Sequence, residues 1–364
     1  MLNLIKSISR LEDKSVQVHV FYFGPLSEEL DHELKGLDIV RVDMSQMSLP
    51  KKVLLKLIEA NNPHRILRSF LKNHPVDALY PFLSWGEYDY TLTSKAIYWI
   101  PDFQHKFLPQ LFSSDELKSR DLQFSAIAEH AIHLILSSHD ALGHFKEFYP
   151  NSKAEVRVLQ FMSLINESEL SDKQNVLDKF KLSRPYFIVC NQFWSHKNHL
   201  LVLEALAALD QKNIGFDIVF TGKPHDHRDS QYFNKLSAYV ESNTLNDQVK
   251  FLGFIDRADQ LTLMRESLAV IQPSLFEGWS TVNEDAKTLG KRVIASDIPI
   301  HREQLVGDYD FFEPHSANEL ADIITKKLGS TSMENPTEFS LLQNQSRNQA
   351  YGLKLVSLFE KFKH

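Results

Sequence analysis

Cysteine and long apolar runs are scarce in this sequence. Its 364 residues include one cysteine, Cys190. A single cysteine excludes a disulfide bond within the chain and favours a reducing compartment such as the cytosol. No apolar run reaches the roughly 18 residues that a membrane-spanning helix needs, which leaves peripheral contact with a membrane open. The HExxH and CxxC spacings of common zinc sites are missing as well.

An excess of basic residues is also missing. Lysine and arginine number 40 against 47 aspartate and glutamate residues, which gives a net charge of −7. That balance argues against a protein whose whole surface binds nucleic acid. The hydrophobic fraction of 43% is ordinary for a globular protein. The length suits two domains of ordinary size.

The second half of the chain alternates short apolar runs with helical patterns. The runs that we interpret as strands are PYFIVCN (185–191), FDIVFTG (216–222), VKFLGF (249–254), LAVIQPS (268–274), RVIASD (292–297) and YDFFEP (309–314). This alternation predicts βαβ units and a mainly parallel sheet. Such sheets bind ligands beyond the carboxyl ends of their strands. Small and polar residues cluster at those ends, in 191–197, 221–223, 253–255, 274–281 and 296–302.

The first half alternates in the same way, but a helical pattern, LNLIKSISRLEDK, precedes its first strand. Strands are predicted at 16–24, 37–43, 78–83, 96–102, 134–138 and 156–161. A doubly wound domain normally opens with a strand. This start therefore predicts that the first strand of the domain is missing and that Met1 is internal to a longer protein or begins a trimmed chain.

A polar stretch, NESELSDKQN (166–175), predicts the join between two domains. We place the first domain at 1–168 and the second at 169–345. The last segment, 346–364, has a helical pattern with apolar residues on one face. We expect this helix to pack back on the first domain.

One stretch of the second half, PSLFEGWSTVNEDAKTLGKRVIASD (273–297), has Glu277, Glu284 and Asp285 around a loop that leads into a helix. Thr281 and Glu284 have the spacing of a capping box, which predicts a structural role for Glu284. The free N–H groups at a helix start suit a phosphate. Gly278 would let the backbone approach that phosphate closely. Glu277, at the strand end, would present a carboxylate that binds sugar hydroxyls.

The acids of this stretch resemble the donor-site signature of the retaining GT-B glycosyltransferases of family four. In that signature a glutamate is followed by seven residues and a second glutamate. Glu277 matches the first acid, and Asp285, one methylene shorter, stands at the second. The loop NQFWSHKNH (191–199) resembles the family loop in which an arginine and a lysine bind the diphosphate. Lys197 matches the lysine, and Gln192 stands where the arginine is expected.

The resemblance covers most of residues 96–330 and implies an α/β chain of the GT-B fold, with two Rossmann-like doubly wound domains facing a central cleft. It implies that a sugar moves, with retention, from a nucleoside-diphosphate donor to a glycan or lipid-linked acceptor. The donor would lie on the second domain and the acceptor would enter from the first. No cofactor is expected beyond the nucleotide-sugar, which is a substrate. Analogy suggests bacterial surface polysaccharide synthesis, in the cytoplasm or at the inner face of the membrane.

The resemblance also implies roles for single residues. Lys197 would stabilise the departing phosphate, and Glu277 would orient the sugar. Asp102 and His105, in the sequence PDFQH that follows a predicted strand, would face the cleft and contact the donor sugar or the acceptor. The other donor-site residues would flank the base, the ribose and the diphosphate, and they are Gln192, Gly253, Phe254, Ile255, Gly278, Trp279, Ser280, Thr281 and Asp285.

Two rival hypotheses stay open on the sequence. A nucleotide-sugar epimerase of similar fold would use the same donor cleft without an acceptor. A homologue that binds nucleotide or glycan without turnover is kept open by Gln192 and Asp285. Asp308 and Asp310 form an Asp-x-Asp, the metal-binding motif of the other large glycosyltransferase fold, but Asp310 opens a predicted strand far from the phosphate loop. We therefore expect no metal requirement.

Overall fold

Parallel strands alternate with helices along most of the chain. The computed structural model describes residues 2–12, 15–22, 24–45, 71–82, 95–209, 215–226, 228–329 and 341–361. All the strands predicted from the sequence are present in these residues, which confirms the βαβ interpretation. The predicted strands at 16–24 and 78–83 and the last helix also include residues 23, 83 and 362–364, which lie outside the described residues.

In the described residues, the first half contains six strands in two parallel sheets. β1 pairs with β2, and β3 to β6 form a second sheet in chain order. The chain opens with a helix, as predicted. The elements are α1 (Leu2–Ser9), β1 (Val18–Tyr22), α2 (Glu28–Leu34), β2 (Ile39–Asp43), β3 (Leu79–Phe82), β4 (Ala96–Ile100), α3 (Gln104–Phe107), α4 (Ser114–His130), β5 (His133–Leu136), α5 (His139–Phe148) and β6 (Glu155–Val158).

The part of the second half that the structure describes is built around one parallel sheet of six strands. Its elements are α6 (Lys173–Lys179), β7 (Tyr186–Cys190), α7 (His199–Ala208), β8 (Asp217–Thr221), α8 (Tyr232–Ser242), β9 (Val249–Gly253), α9 (Arg257–Glu266), β10 (Val270–Gln272), α10 (Thr281–Thr288), β11 (Val293–Ser296), α11 (Pro299–Gln304), β12 (Asp310–Phe312), α12 (Ala317–Gly329) and α13 (Leu341–Glu360). β7, β8, β10 and β11 are buried along their whole length. Helices cover both faces of such sheets, which explains why these strands read as continuous apolar runs.

The strand order of this sheet determines where a ligand can bind. The order is β12-β11-β10-β7-β8-β9, with every neighbour parallel. Counted from β7, it is the 3-2-1-4-5-6 order of a doubly wound fold. The chain changes direction across the sheet between β7 and β10, and a crevice opens at the carboxyl ends of these two strands. The loops that follow β7 and β10 therefore border the expected ligand crevice.

The last helix, α13, packs against the first helix, α1. A Cβ added at Gly352 would lie 2.8 Å from the carbonyl oxygen of Ser7, so glycine allows the two helices to approach this closely. Tyr351 and Leu355 of α13 belong to a buried cluster with Ile97 of β4. The two ends of the chain thus share one core with the sheet of the first half. Among the described helices, none is both long enough and apolar enough to cross a bilayer.

Candidate active site

Lys197 and Glu277 meet at the switch point of the six-stranded sheet although they are 80 residues apart. Lys197 ends a 3₁₀ turn in the loop after β7, and Glu277 lies in the loop between β10 and α10. The backbone N–H of Leu275 donates to the carbonyl of His196 at 2.8 Å and ties the two loops together. Both residues thus lie at the carboxyl edge of the sheet, where the sequence predicts a ligand crevice.

The two side chains form an ion pair in which Glu277 is buried and Lys197 is partly buried. Lys197 Nζ donates to Glu277 Oε1 at 2.6 Å, and the side chains are 14% and 8% exposed. The same oxygen accepts from Ser274 Oγ at 2.7 Å and from Gln272 Nε2 at 2.8 Å. Burial alone would raise the pKa of Glu277, but the charge of Lys197 and these hydrogen bonds outweigh it and hold the pKa below its usual value. Glu277 is therefore an ionised acceptor at neutral pH.

The helix that follows Glu277 begins one residue earlier than the sequence predicts. Ser280 is the N-cap of α10, and its hydroxyl accepts from the backbone N–H three residues on at 3.3 Å. The capping box predicted at Thr281 and Glu284 is therefore wrong, because Glu284 falls at the fourth helical position. Its carboxylate instead accepts from Lys287 Nζ at 2.8 Å and from Gln304 Nε2 at 2.9 Å. Glu284 keeps a structural role through different contacts.

Asp285 lies on α10 and is 1% exposed. Arg257, at the start of α9, donates to both of its carboxylate oxygens at 2.5 Å. Ser163 Oγ, from the segment between the two halves of the chain, donates to Oδ1 as well. A carboxylate oxygen can accept more than one hydrogen bond. The contact of Asp285 with a ribose stays a prediction, and any ribose there would also meet Arg257.

Gly278 marks a close approach between the two halves of the chain. A Cβ at this position would lie 2.7 Å from the carbonyl oxygen of Pro101 and 2.9 Å from Cβ of Asp102. Asp102 follows β4, and its Oδ1 accepts from the backbone N–H of Gln104 at 2.9 Å. Burial raises the pKa of Asp102, and the negative charge of Glu277 adds to the rise. Asp102 therefore faces the same crevice as Glu277.

His105 is enclosed within the first half of the chain. Its side chain is 1% exposed, and Nε2 lies 3.1 Å from Oδ1 of Asp121. The rings of Phe103, Phe112 and Phe124 surround it with centroid distances of 5.2–6.5 Å. Burial lowers the pKa of His105. Its ring is thus buried among aromatic neighbours. A direct contact with donor or acceptor stays a prediction for this residue.

The residues predicted around the base are more open. Phe254 is 71% exposed, with Lys223 Nζ 4.9 Å from the centre of its ring. Gly253 has a φ of +70°, and its carbonyl accepts from the backbone N–H of Gly222 at 2.8 Å. The side chain of Gln192 is exposed. A flat ligand could reach this rim without moving buried side chains.

The remaining predicted residues are divided between the crevice and the packing around it. Trp279 Nε1 donates to the carbonyl of Phe161 at 2.8 Å, which joins the helix start to the segment after β6. Thr281 is exposed at the first turn of α10. Ile255 packs against the buried cluster under β7. The role of each in donor binding stays a prediction.

A cavity of about 200 Å³ lies between the two halves of the chain, beside Glu277. Its lining is mostly apolar and consists of Phe107, Leu108, Asp140, His144, Leu275, Phe276, Glu277, Ile298, Pro299 and Ile300. The polar groups from the first half are Asp140 and His144, whose side chains lie 3.8 Å apart on α5. Sequence reasoning did not identify these two, since nothing in a helical pattern indicates which turn faces a cavity.

Glu303 joins α11 to the start of α5 on this side of the crevice. Its carboxylate accepts from the backbone N–H groups of His139 and Asp140 at 2.8 and 2.9 Å, at the start of α5. Gln160 Nε2 donates to it at 2.6 Å. A carboxylate at a helix N-terminus stabilises both elements. The contact holds Asp140 close to the cavity, and the sequence offered no signal for it.

The Asp-x-Asp pair lies away from this crevice. Asp310 is the first residue of β12, as predicted, and its Oδ2 forms an ion pair with Lys327 Nζ at 2.7 Å. The first residue of a parallel strand lies at the amino edge of the sheet, opposite the edge that carries Lys197. Within the described residues no group of three histidine, cysteine or acidic side chains is arranged to hold a metal ion. Independence from metal ions stays a prediction.

Two buried histidines near Lys197 should make stability depend on pH. His196 and His199 are 5% and 0% exposed, and burial lowers the pKa of each to about 3. Below pH ~6.5 the unfolded chain binds protons that the folded chain does not. We therefore expect stability to fall between pH 6.5 and 3, by about 2 kcal/mol per histidine at pH 5.

The test compares the free energy of unfolding from urea titrations at pH 7.5 and 5.0. In His199→Gln the loss on acidification should shrink by about 2 kcal/mol. The matched control, His315→Gln, changes an exposed histidine and should leave the loss unchanged. An equal loss in His199→Gln and the wild type would contradict the assignment.

Comparison with known proteins finds a family model that matches most of the second half. Residues 172–339 match the family model for glycosyl transferases group 1. The O-antigen chain mannosyltransferase RfbU of Salmonella typhimurium is 26% identical over 144 residues, which are 39% of this chain and 38% of that protein. The matched region thus spans well under half of this curated relative.

Solved structures resemble the chain along nearly its whole length. A glycosyltransferase from Rickettsia africae ESF-5 has a TM-score of 0.64 at 17% identity, over 99% of this chain and 93% of that one. Anabaena Alr3699/HepE, solved with UDP and glucose, has a TM-score of 0.62 at 17% identity, over 99% and 92%. WaaG, a glycosyltransferase of lipopolysaccharide biosynthesis, has a TM-score of 0.62 at 15% identity, over 99% and 93%. At these identities the likeness establishes the fold. Residues 172–339 therefore resemble the glycosyl transferases group 1 family, and the chain has the GT-B fold.

Proposed function

We propose that this chain is a retaining, metal-independent glycosyltransferase that moves a hexose from a nucleoside-diphosphate donor to a glycan or lipid-linked acceptor. The ion pair of Lys197 and Glu277 at the switch point carries the proposal. A cation beside a helix start suits a diphosphate. A buried, ionised carboxylate with an apolar cavity beside it suits the hydroxyls and the ring of a sugar.

The chemistry needs no protein nucleophile. The bond between the anomeric carbon and the diphosphate oxygen breaks, and an acceptor oxygen bonds to the same face of the sugar. The departing phosphate takes the proton of the acceptor hydroxyl. Lys197 and the backbone N–H groups of Trp279 and Thr281 stabilise the charge that develops on the phosphate, since the N–H of Ser280 already donates to Gln304. The contact of Gly278 with Asp102 closes one side of the crevice, which limits attack by water.

The relatives support a hexosyl donor and a surface glycan. RfbU is named a mannosyltransferase of the O-antigen chain, and WaaG acts in lipopolysaccharide biosynthesis. HepE has been solved with UDP-glucose. By analogy, this chain would act in bacterial surface polysaccharide synthesis, in the cytoplasm or at the inner face of the membrane. The 200 Å³ cavity is where the transferred sugar and the acceptor hydroxyl would meet.

A thermal-shift panel with UDP, GDP and ADP, and with their hexose conjugates, tests this proposal. A nucleotide present at about 100 times its Kd should raise the free energy of unfolding by about 2.7 kcal/mol. Incubation with the stabilising nucleotide-sugar then identifies the reaction. A changed sugar without acceptor indicates an epimerase, and binding without any turnover indicates an inactive homologue. If no nucleotide shifts the unfolding temperature, the donor-site assignment is contradicted.

Metal independence is tested on the same reaction. Lys197 and the start of α10 supply the positive field that a divalent cation supplies in other transferases. We therefore expect donor turnover to change by less than about twofold when EDTA is added in excess. Loss of turnover with EDTA, and recovery with magnesium or manganese, would contradict this prediction.

A further inference from the structure

Arg228 lies in the connection from β8 to α8 and contacts the loop that carries Lys197. Its guanidinium lies between two aromatic rings, 4.4 Å from the centre of Phe112 and 5.4 Å from the centre of Trp194. Phe112 belongs to the first half of the chain and Trp194 to the loop that carries Lys197. The backbone N–H of Lys197 donates to the carbonyl of Trp194 at 2.9 Å. Arg228 therefore lies beside the Lys197 turn, where the two halves meet.

The guanidinium has few hydrogen-bond partners of its own. NH1 donates to Oε1 of Gln104 at 3.4 Å, which is a long hydrogen bond. Nε is buried and has no partner, and none of the acids in the described residues forms an ion pair with Arg228. Arginine has five N–H donors in a planar fork. Aromatic faces stabilise the cation without neutralising it, so the charge of Arg228 is left for an anion.

The crevice needs another cation if a diphosphate binds there. The charge of Lys197 is already matched by Glu277 at 2.6 Å. The side chain of Gln192, in the same loop, carries no charge. The diphosphate of a nucleotide-sugar carries two negative charges, and it gains a third as it departs. The pKa of His196 is lowered first by burial and then by the charges of Lys197 and Arg228, so both cations act on the same ring.

We propose that Arg228 is a diphosphate-binding residue of the donor site, which holds the phosphate oxygens through its unpaired N–H donors. This inference rests on the proposed function, because it needs a nucleoside diphosphate in the crevice. Arg228 then contacts the donor from the second half of the chain while its ring contact with Phe112 reaches the first. Binding of the diphosphate and the approach of the two halves are thereby coupled at one side chain.

The test is isothermal titration of the wild-type chain, Arg228→Gln and Arg228→Lys. The probes are UDP, GDP and ADP together with uridine, guanosine and adenosine. For the base that the wild type binds, Arg228→Gln should raise the Kd of the nucleoside diphosphate by about 10- to 100-fold. The Kd of the nucleoside should stay within about twofold. Arg228→Lys should give a smaller loss, because it keeps the charge without the planar fork.

The matched control is Lys235→Gln, which removes one positive charge from the next helix at a position that is 63% exposed and paired with Asp229. It should leave both dissociation constants unchanged. An unchanged diphosphate Kd in Arg228→Gln would overturn the inference and leave the proposed function standing, and so would an equal loss for the nucleoside. If the wild type binds none of the three diphosphates, the proposed function fails and the inference fails with it.

Discussion

Glu277→Gln is expected to lower kcat/KM for sugar transfer by about 10²–10³. The ionised carboxylate of Glu277 can accept hydrogen bonds from sugar hydroxyls at this edge of the crevice. An amide keeps the shape but replaces one acceptor by a donor, so it turns two N–H groups toward hydroxyls and toward Lys197. The transferred sugar then loses its orientation in the transition state.

The same substitution should not weaken binding of the nucleoside diphosphate. In the wild type, Lys197 is held by Glu277 at 2.6 Å. Without the negative charge of Glu277, Lys197 is free to pair with a phosphate, and the repulsion between the carboxylate and the diphosphate is removed. The diphosphate Kd should therefore stay equal or fall. A lower kcat/KM for sugar transfer together with an equally tight or tighter diphosphate complex distinguishes a sugar-binding role from a general loss of structure.

Steady-state kinetics and isothermal titration on the same preparations measure both quantities. The matched control is Glu284→Gln, which changes a second buried acid of the stretch, held by Lys287 and Gln304. That control should lower the Tm and leave kcat/KM close to wild type. Transfer within about tenfold of wild type in Glu277→Gln, or a weaker diphosphate complex, would contradict the sugar-binding role.

The position of Glu277 and Lys197 could be predicted because it follows from topology. Apolar runs of five or six residues identify buried parallel strands, and the carboxyl ends of such strands share one edge of a sheet. Any polar residues that follow β7 and β10 must then lie close together. The sequence does not state that β7 and β10 are neighbours, but the doubly wound order places the first and fourth strands side by side.

The start of α10 could not be predicted to the residue because two hydroxyls compete for the N-cap. Ser280 and Thr281 are both good N-cap residues. Tertiary contacts decide between them: Gln272 Nε2 donates to Ser280 Oγ at 3.1 Å, and Gln304 Oε1 accepts from the backbone N–H of Ser280 at 3.2 Å. These partners come from β10 and α11. Local spacing alone therefore predicts the N-cap at Thr281, one residue after the observed N-cap, Ser280.

Long-range polar contacts could not be predicted from the sequence for a related reason. Arg257 precedes Asp285 by 28 residues, and Glu303 reaches the start of α5 from the other half of the chain. Hydrophobic periodicity identifies which face of a helix is buried, but it does not identify the partner of a charged residue on the opposite face. Arg228 was missed in the same way, because its segment has the composition of an ordinary solvated loop.

Lys197→Gln is expected to weaken binding of the nucleoside diphosphate by about 10- to 100-fold and to destabilise the fold by about 3–5 kcal/mol at neutral pH. The first effect follows from the loss of a cation at the phosphate. The second follows from Glu277, which is left as a buried carboxylate without a counter-ion. A thermal-shift assay with and without nucleotide separates the two effects.

The destabilisation should depend on pH with a definite sign. In the wild type the pKa of Glu277 is depressed, so its contribution is present above the unfolded pKa of about 4.5 and is lost as the pH falls. In Lys197→Gln burial is no longer opposed by the lysine and raises that pKa, so the folded form gains a proton more readily than the unfolded form. The Tm gap between variant and wild type should be widest near pH 7.5 and should narrow toward pH 5.

The double variant Lys197→Gln/Glu277→Gln separates the stability of the pair from its function. Replacing both charges by amides removes the unpaired buried carboxylate, so most of the lost stability should return and the pH dependence of the Tm gap should disappear. The rate of sugar transfer should stay as low as in the less active of the two single variants, because neither the phosphate-binding cation nor the sugar-binding carboxylate is restored. A double variant that regains sugar transfer would show that the ion pair only supports the fold. If the Tm gap between the single variant Lys197→Gln and the wild type does not change with pH, Glu277 is not left as a buried charge.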